Sequence, residues 1–391
     1  MNKLTILFSI LTLISCEEIR KSQTNVIQDK QIEVSINHTI ETFMILRSLS
    51  NDDPLFKYRD SSYLGKPIMY EARKHFAEYR KHTSVIETQR MLNATSSTGD
   101  LILQGLLYFE ELPSVSLKYE ISAEDWINRK DSLISYVEVL QNFYKEAKVN
   151  EFISKHANFY AGAITEAKTY LDIELIPIME DYFGISNLAY KMILIPNSPF
   201  GMGFGANTES TKGDIFYQII SPANDIEWNE NSNYDTFGYS GEDADEYYRD
   251  LVVHEFCHPF ITPFIEDKKW RSEIAKTDSL FVEELKSKMS EQGYDSWWGF
   301  VNEHLVRLAE IRVARKMKIY DLEEMRDYNI KENGFVLLPD AEELVIDYEN
   351  NRNKFKNFQE FIPKLIEQLS HFNKGEIEKR MQQLTNNDIT D

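Results

Sequence analysis

The stretch DADEYYRDLVVHEFCH, residues 243–258, decides how the rest of the chain is read. Asp243, followed three residues later by Glu246, is a capping-box start, and Tyr247, Leu251, Val252 and Phe256 carry the helical period onward. The helix leads into His254-Glu255-Phe256-Cys257-His258, an HExxH motif. Side chains four residues apart differ by about 40° around a helix axis, so both imidazoles reach one ion and Glu255 sits where a metal-bound water would lie. The reading that follows is a zinc ion held by His254 and His258, with Glu255 as general base. The competing reading makes the two histidines core-edge residues and Glu255 a surface charge. With 8 His in 391 residues, the spacing favours the metal. Cys257 projects to the flank opposite Glu255 and reads as a small buried thiol rather than a ligand. Pro259 removes a backbone donor and crowds the carbonyl of Glu255, which predicts that the helix kinks or ends there.

Catalytic zinc takes a third protein ligand and keeps its fourth position open. Ile261 and Phe264 stand where the extended metzincin motif needs Gly and His, which excludes that ligand set. Downstream, WWGFVNEHLVRLAE (297–310) opens a second helix, with Val301, Leu305, Leu308 and Arg312 on one stripe. Glu303 is read as the third ligand, as a gluzincin-like arrangement takes its Glu from a second helix; His304 and Glu310 are its rivals, Glu310 lying two turns along the same face. The residue that donates to an oxyanion is not legible among 21 Tyr.

Working outward, Met1-Asn2-Lys3, an apolar run from Leu4 to Ile14 and a stop at Ser15-Cys16 have the three-part layout of a secretory signal. Eleven residues rise about 16 Å as a helix, short of a ~30 Å hydrocarbon core. Leu13-Ile14-Ser15-Cys16 resembles a bacterial lipobox, which implies a lipid on Cys16 and an exported chain anchored to a bacterial membrane, the outer membrane in first place. Residues 17–30 are polar and unpatterned, suited to a tether. Cys16 and Cys257 are the only cysteines, so a lipidated Cys16 leaves no intramolecular disulfide. The 43 basic residues against 64 acidic ones, a net charge of -21, argue against nucleic acid as a partner. An apolar fraction of 42% excludes disorder of the whole chain.

Gln31 to Ile40 alternates as a strand, and from Ile40 to about Tyr182 the period is helical, with loops at Asn51 to Pro54 and Ser96 to Gly99. AYKMILIP (189–196) and DIFYQIIS (214–221) read as strands. Gly201, Gly203 and Gly205 lie between them; no helix follows in the order a phosphate loop requires, so they read as a flexible or close-packed β segment. Residues 223–242 read as a loop. The fold class is α+β, predominantly helical. A signal peptide (1–15) and tether (16–30) precede a helix-rich region (31–185), a zincin-like catalytic region with a small sheet and two metal-bearing helices (186–345), and a helical C-terminal region (346–391).

Three stretches resemble a family of lipoproteins and secreted proteins of Bacteroides-like bacteria, a domain of unknown function with zincin-like residues. They are His254 to His258 with Pro263, Asn302 to Arg307, and Tyr348 to Phe355. The resemblance covers most of the mature chain and implies a metallopeptidase-type site. The Asn302-Glu303 pair is similar to that of thermolysin-like enzymes. The expected function is therefore zinc-dependent hydrolysis of a peptide or protein substrate. The alternative is an inactive zincin-scaffold lipoprotein that captures peptides or glycans through aromatics such as Trp297 and Trp298.

Overall fold

The computed structural model describes residues 31–50, 66–95, 99–121, 124–169, 171, 174–187, 189–198, 203–210, 213–224, 226, 236–239, 244–318 and 322–387. The signal, the tether with Cys16, the loop at Asn51 to Pro54, Gly201 and the cap residue Asp243 lie outside them. Strand β1 (Ile32–Ile36) comes first. It stops short of the expected Ile40 because the Asn37 side chain accepts the N–H groups of Thr39 and Ile40, both at 3.0 Å, and so starts a helix. The N-terminal helices are α1 (His38–Leu49), α2 (Pro67–His75), α3 (Thr83–Ala94), α4 (Asp100–Leu106), α5 (Glu124–Ile127), α6 (Lys130–Glu146), α7 (Val149–Lys155), α8 (Ala157–Lys168) and α9 (Leu175–Phe183). Strands β2 (Ala189–Leu194), β3 (Gly203–Ser210) and β4 (Gly213–Ile220) follow. The remainder is helical: α10 (Ala244–Glu266), α11 (Lys268–Ala275), α12 (Glu283–Ser290), α13 (Trp297–Met317), α14 (Leu322–Lys331), α15 (Leu338–Asn350), α16 (Ile362–Leu369) and α17 (Lys374–Asn387). The molecule is thus mostly helical around one small mixed sheet, an α+β architecture.

The sheet order is β1-β2-β4-β3, with β1, β2 and β4 parallel and β3 antiparallel on the edge. One line of register crosses it through Val34, Met192, Gln218 and Gly205. Because side chains alternate, Tyr190, Met192, Leu194, Phe216 and Ile220 join the core beneath α10 and α13, while Ile193, Ile195, Ile215, Tyr217 and Ile219 join the core of the N-terminal helices. β1 belongs to the same sheet as β2 to β4, so the N-terminal third of the chain contributes directly to the frame that carries the metal helices.

Pro259 does not end α10, so of the two outcomes the sequence allows, a kink or a stop, the stop is excluded; the helix runs through Pro259 and Pro263 to Glu266. An interior Pro costs ~3 kcal/mol. Phe256, Phe260, Ile261 and Ile265 are buried on either side of it, at roughly 1.5–3 kcal/mol each, and Phe260 stacks on Phe183 at 4.1 Å. Tertiary packing therefore wins. The carbonyl that Pro259 deprives of its helical donor, that of Glu255, lies against Gly205 of β3, where an added Cβ would come within 2.3 Å of it.

The late stretch Tyr348 to Phe355 serves the fold. Arg352 donates to the carbonyls of Tyr182 (3.0 Å) and Asp181 (2.9 Å), and the Tyr348 hydroxyl donates to that of Tyr182, satisfying the last turn of α9. α9 closes on Gly184 at φ 66°, where a Cβ would meet the carbonyl of Lys356 at 2.3 Å.

Between the layers, Glu41 of α1 accepts from the Tyr160 hydroxyl (2.6 Å) and Asn197 Nδ2 (2.5 Å). Burial pushes its carboxyl up from 4.5 to about 7, against the opposing pull of these two bonds. A raised folded-state value means that stability falls as pH rises from about 4.5 to 7 and is level above that. The loss is about 3 kcal/mol in order of magnitude. Urea melts of Glu41→Gln are expected to lack this loss between pH 5 and 7; an unchanged pH dependence would refute the assignment.

Candidate metal centre

α10 and α13 pack side by side, and the site lies where they cross under β3. α13 begins where the sequence places it: the Ser296 side chain accepts the Gly299 N–H at 3.0 Å. From α10, His254 and His258 present their Nε2 atoms to each other at 3.3 Å, with the rings nearly perpendicular at 86°. From α13, Glu303 brings Oε1 within 3.3 Å of His254 Nε2 and Oε2 within 3.6 Å of His258 Nε2. One ligand atom from each of the three lies within 4.8 Å of the others, and this is the one such His/Cys/Asp/Glu group among the described residues.

The outer nitrogens of the two rings are engaged. His254 Nδ1 lies 3.1 Å from Glu310 Oε2, and Arg307 donates to that same oxygen at 3.1 Å, so the oxygen accepts and His254 carries its proton on Nδ1. His258 Nδ1 lies 3.3 Å from the Thr262 hydroxyl, which spends its own proton on Asn302 Oδ1 at 2.8 Å and therefore accepts from the ring. Both Nε2 atoms are then bare lone pairs pointing at one another. Glu303 Oε1 is buried without a hydrogen-bond donor; Arg307 Nε approaches it at 2.9 Å as an ion pair, without N–H alignment. Lone pairs from two imidazoles and a carboxylate converging in a buried hollow are repulsive unless a cation stands between them. The donor set therefore fits a divalent metal.

Electrostatics agree. Burial holds His254 well below the usual imidazole range and lowers His258, which keeps both rings neutral and able to ligate. The net direction for Glu303 is down: burial raises it, His254 and His258 lower it to the extent that either ring is protonated, and with both rings neutral the Arg307 charge and a hydrogen bond from Tyr294 are the opposing pull. Glu255 goes the other way: burial, then the charge of Glu303, pushes it to about 8, although Arg307 and a bond from the Gly205 N–H oppose the shift. Two neighbouring carboxylates are thus driven apart, one fixed as an anion and one poised to exchange a proton. Arg307 donates to Glu310 at 3.1 Å, and Glu310 and Glu303 together outweigh the burial that would discharge it.

Of the rivals for the third ligand, Glu310 stands behind His254 and orients it. His304 is turned into an aromatic layer, 5.6 Å from the Phe300 ring and 6.4 Å from that of Phe335, and burial lowers it to about 4. Cys257 is a free, fully buried thiol outside the ligand group. Trp297 is buried with its Nε1 bonded to Thr277 at 3.0 Å, and Trp298 is half-buried with the Arg271 guanidinium 4.5 Å from its ring. Sequence reasoning missed Arg307, Tyr294 and Thr262. Only their spacing from the ligands, Arg307 at i+4 from Glu303 and Thr262 at i+4 from His258, carries a signal.

The site defines a protein with a two-histidine, one-carboxylate centre spanning two packed helices of an α+β fold. The chain belongs to the family described as a domain of unknown function (DUF4932), which it matches over residues 32–368. No curated protein and no solved structure matches it.

Proposed function

We propose that the chain is a zinc-dependent metallopeptidase of zincin-like, gluzincin-type construction, exported and held on a bacterial membrane by a lipid on Cys16. The observation that carries the reading is the pair of bare imidazole nitrogens facing each other at 3.3 Å beside a buried carboxylate that brings one oxygen within 3.3 Å of the first and the other within 3.6 Å of the second. His254, His258 and Glu303 would hold the ion. Bound there, zinc supplies the Lewis acidity that acidifies a water and polarises a scissile carbonyl. Glu255 takes the proton on its carboxylate and returns it to the leaving amine, a task suited to a carboxyl raised to about 8 before any cation is near. Tyr294 shares the hollow with His254 and Glu255, and its hydroxyl, which donates to Glu303, would turn from that carboxylate to serve the developing oxyanion. Among the described residues β3 pairs with β4 alone and so lies at the edge of the sheet, and such an edge is the usual place for an extended peptide. Among the described residues no helix is long and apolar enough to cross a membrane, so the proposed attachment rests on the lipid.

The test joins metal content to turnover. The purified mature chain is expected to hold one zinc and to cleave an unstructured protein. Glu303→Ala is expected to lose the ion, and His304→Phe, in its aromatic layer, to keep it. Zinc-free, inert wild-type protein would remove the proposal, and loss of zinc from His304→Phe alone would reassign the third ligand.

A further inference from the structure

Arg307 stands one turn past Glu303 on α13 and one turn before Glu310, so the three side chains follow one face of the helix. That face meets a single ring of α10. His254 Nε2 lies 3.3 Å from Glu303 Oε1, and its Nδ1 lies 3.1 Å from Glu310 Oε2. Arg307 reaches both carboxylates, with Nε 2.9 Å from Glu303 Oε1 and Nη1 3.1 Å from Glu310 Oε2. The contacts close a circuit that runs from His254 through Glu303, Arg307 and Glu310 back to the same imidazole.

The two halves of the circuit differ in kind. Nη1 donates a hydrogen bond to Glu310. Nε touches Glu303 Oε1 without one, and both of those atoms are buried with no hydrogen-bond partner. Arg307 is thus anchored on Glu310 and gives Glu303 charge alone, which leaves the lone pairs of Oε1 to an ion. Glu303 and Glu310 are 1% and 2% exposed, and two buried carboxylates against one ring drive each other away unless a cation serves both. Building on the metallopeptidase reading, in which His254, His258 and Glu303 hold the ion, we propose that Arg307 is the positioning residue of the centre. It fixes Glu303 and Glu310 on opposite nitrogens of His254, so that ligand oxygen and ligand nitrogen are set before an ion arrives. A guanidinium this close also repels a dication, and the sign of its effect separates the two roles. If it places the ligands, its loss weakens binding; if it is only a charge, its loss tightens binding. Lysine cannot take its place, because Nζ is a point charge on a flexible stem whereas Nε and Nη1 belong to one rigid fork.

Zinc affinity is measured by competition with a chromophoric chelator, which needs no substrate. Arg307→Lys, which keeps the charge, and Arg307→Ala, which removes it, are each expected to bind zinc about 10–100-fold more weakly than wild type. Arg307 also borders a cavity of about 560 Å³ beside His254, Glu255 and Tyr294, which gives a free guanidinium ion a way in. About 50 mM guanidinium chloride is expected to bring Arg307→Ala within about threefold of wild type, whereas NaCl at the same concentration, which screens charge equally, is not. Affinity in Arg307→Lys equal to or tighter than wild type overturns the assignment, and this arm stands even where Arg307→Ala does not fold. Failure of guanidinium to restore a folded Arg307→Ala overturns it as well. Other outcomes separate this role from the peptidase reading. Zinc held by wild type and weakened in Arg307→Lys, with no peptide cleaved, leaves Arg307 its role and removes the peptidase. Cleavage by wild type together with undiminished affinity in the variant does the reverse, and a wild type that takes up no zinc removes both.

Discussion

Replacing Glu255 by Gln is expected to lower turnover by about 10²–10⁴-fold while the zinc content stays at that of the wild type. The two parts of the result come from different atoms. Glu255 is not among the ligand atoms, which come from His254, His258 and Glu303, so the ion loses nothing when the carboxylate becomes an amide. The amide keeps the size of the side chain and an oxygen to accept the Gly205 N–H, but it cannot take a proton. A third readout follows from the charge. Burial raises Glu255 from 4.5 to about 8, so in the zinc-free protein its ionisation opposes folding increasingly from pH 4.5 to 8, and the penalty stays above that. Zinc-free Glu255→Gln is therefore expected to melt higher than wild type at pH 9 and to match it at pH 4. Turnover within about threefold of wild type would show that another group is the base.

The approach of the two imidazoles on α10 was legible because it is local. A cap, an apolar period and two histidines at i and i+4 lie within one helix, and no other part of the chain is needed to bring the rings together. The third ligand was harder, because Glu303, His304 and Glu310 share α13 and only its rotation against α10 decides among them. The structure assigns two of the three to the same ring. Glu303 meets His254 Nε2 and Glu310 meets Nδ1, which two turns of one helix allow and which no spacing rule ranks. The parallel pairing of Ile32–Ile36 with Tyr190–Leu194 was illegible for a plainer reason: each strand is recognisable alone, but the partner lies more than 150 residues away. That α10 continues past Pro259 was not legible, because the burial that outweighs the local cost comes from α9, β3 and β4.

Gly203 and Gly205 are expected to fail in different ways when each is given a methyl group. Both face α10 from the edge strand, on the side of the sheet where Gln218 donates to the Leu251 carbonyl at 3.2 Å. At Gly205 the new Cβ would lie 2.3 Å from the carbonyl oxygen of Glu255 and 3.1 Å from the Cβ of His258, and neither atom can swing aside. Strand and helix must separate. Gly205→Ala is expected to destabilise the protein by about 1–3 kcal/mol and to weaken zinc binding, since His258 rides on the displaced backbone. At Gly203 the Cβ would meet side-chain ends, Glu255 Oε1 and Leu251 Cδ1, each at 2.7 Å. These can rotate, so Gly203→Ala is expected to keep its zinc and most of its stability. The carboxylate it displaces is the proton acceptor, and a misplacement of about 1 Å lowers turnover on the order of 10²-fold. Paired melting, zinc and turnover measurements on the two variants distinguish the outcomes. A Gly203→Ala variant with wild-type turnover would mean that the bare backbone of β3 is needed for packing alone and does not set the position of Glu255.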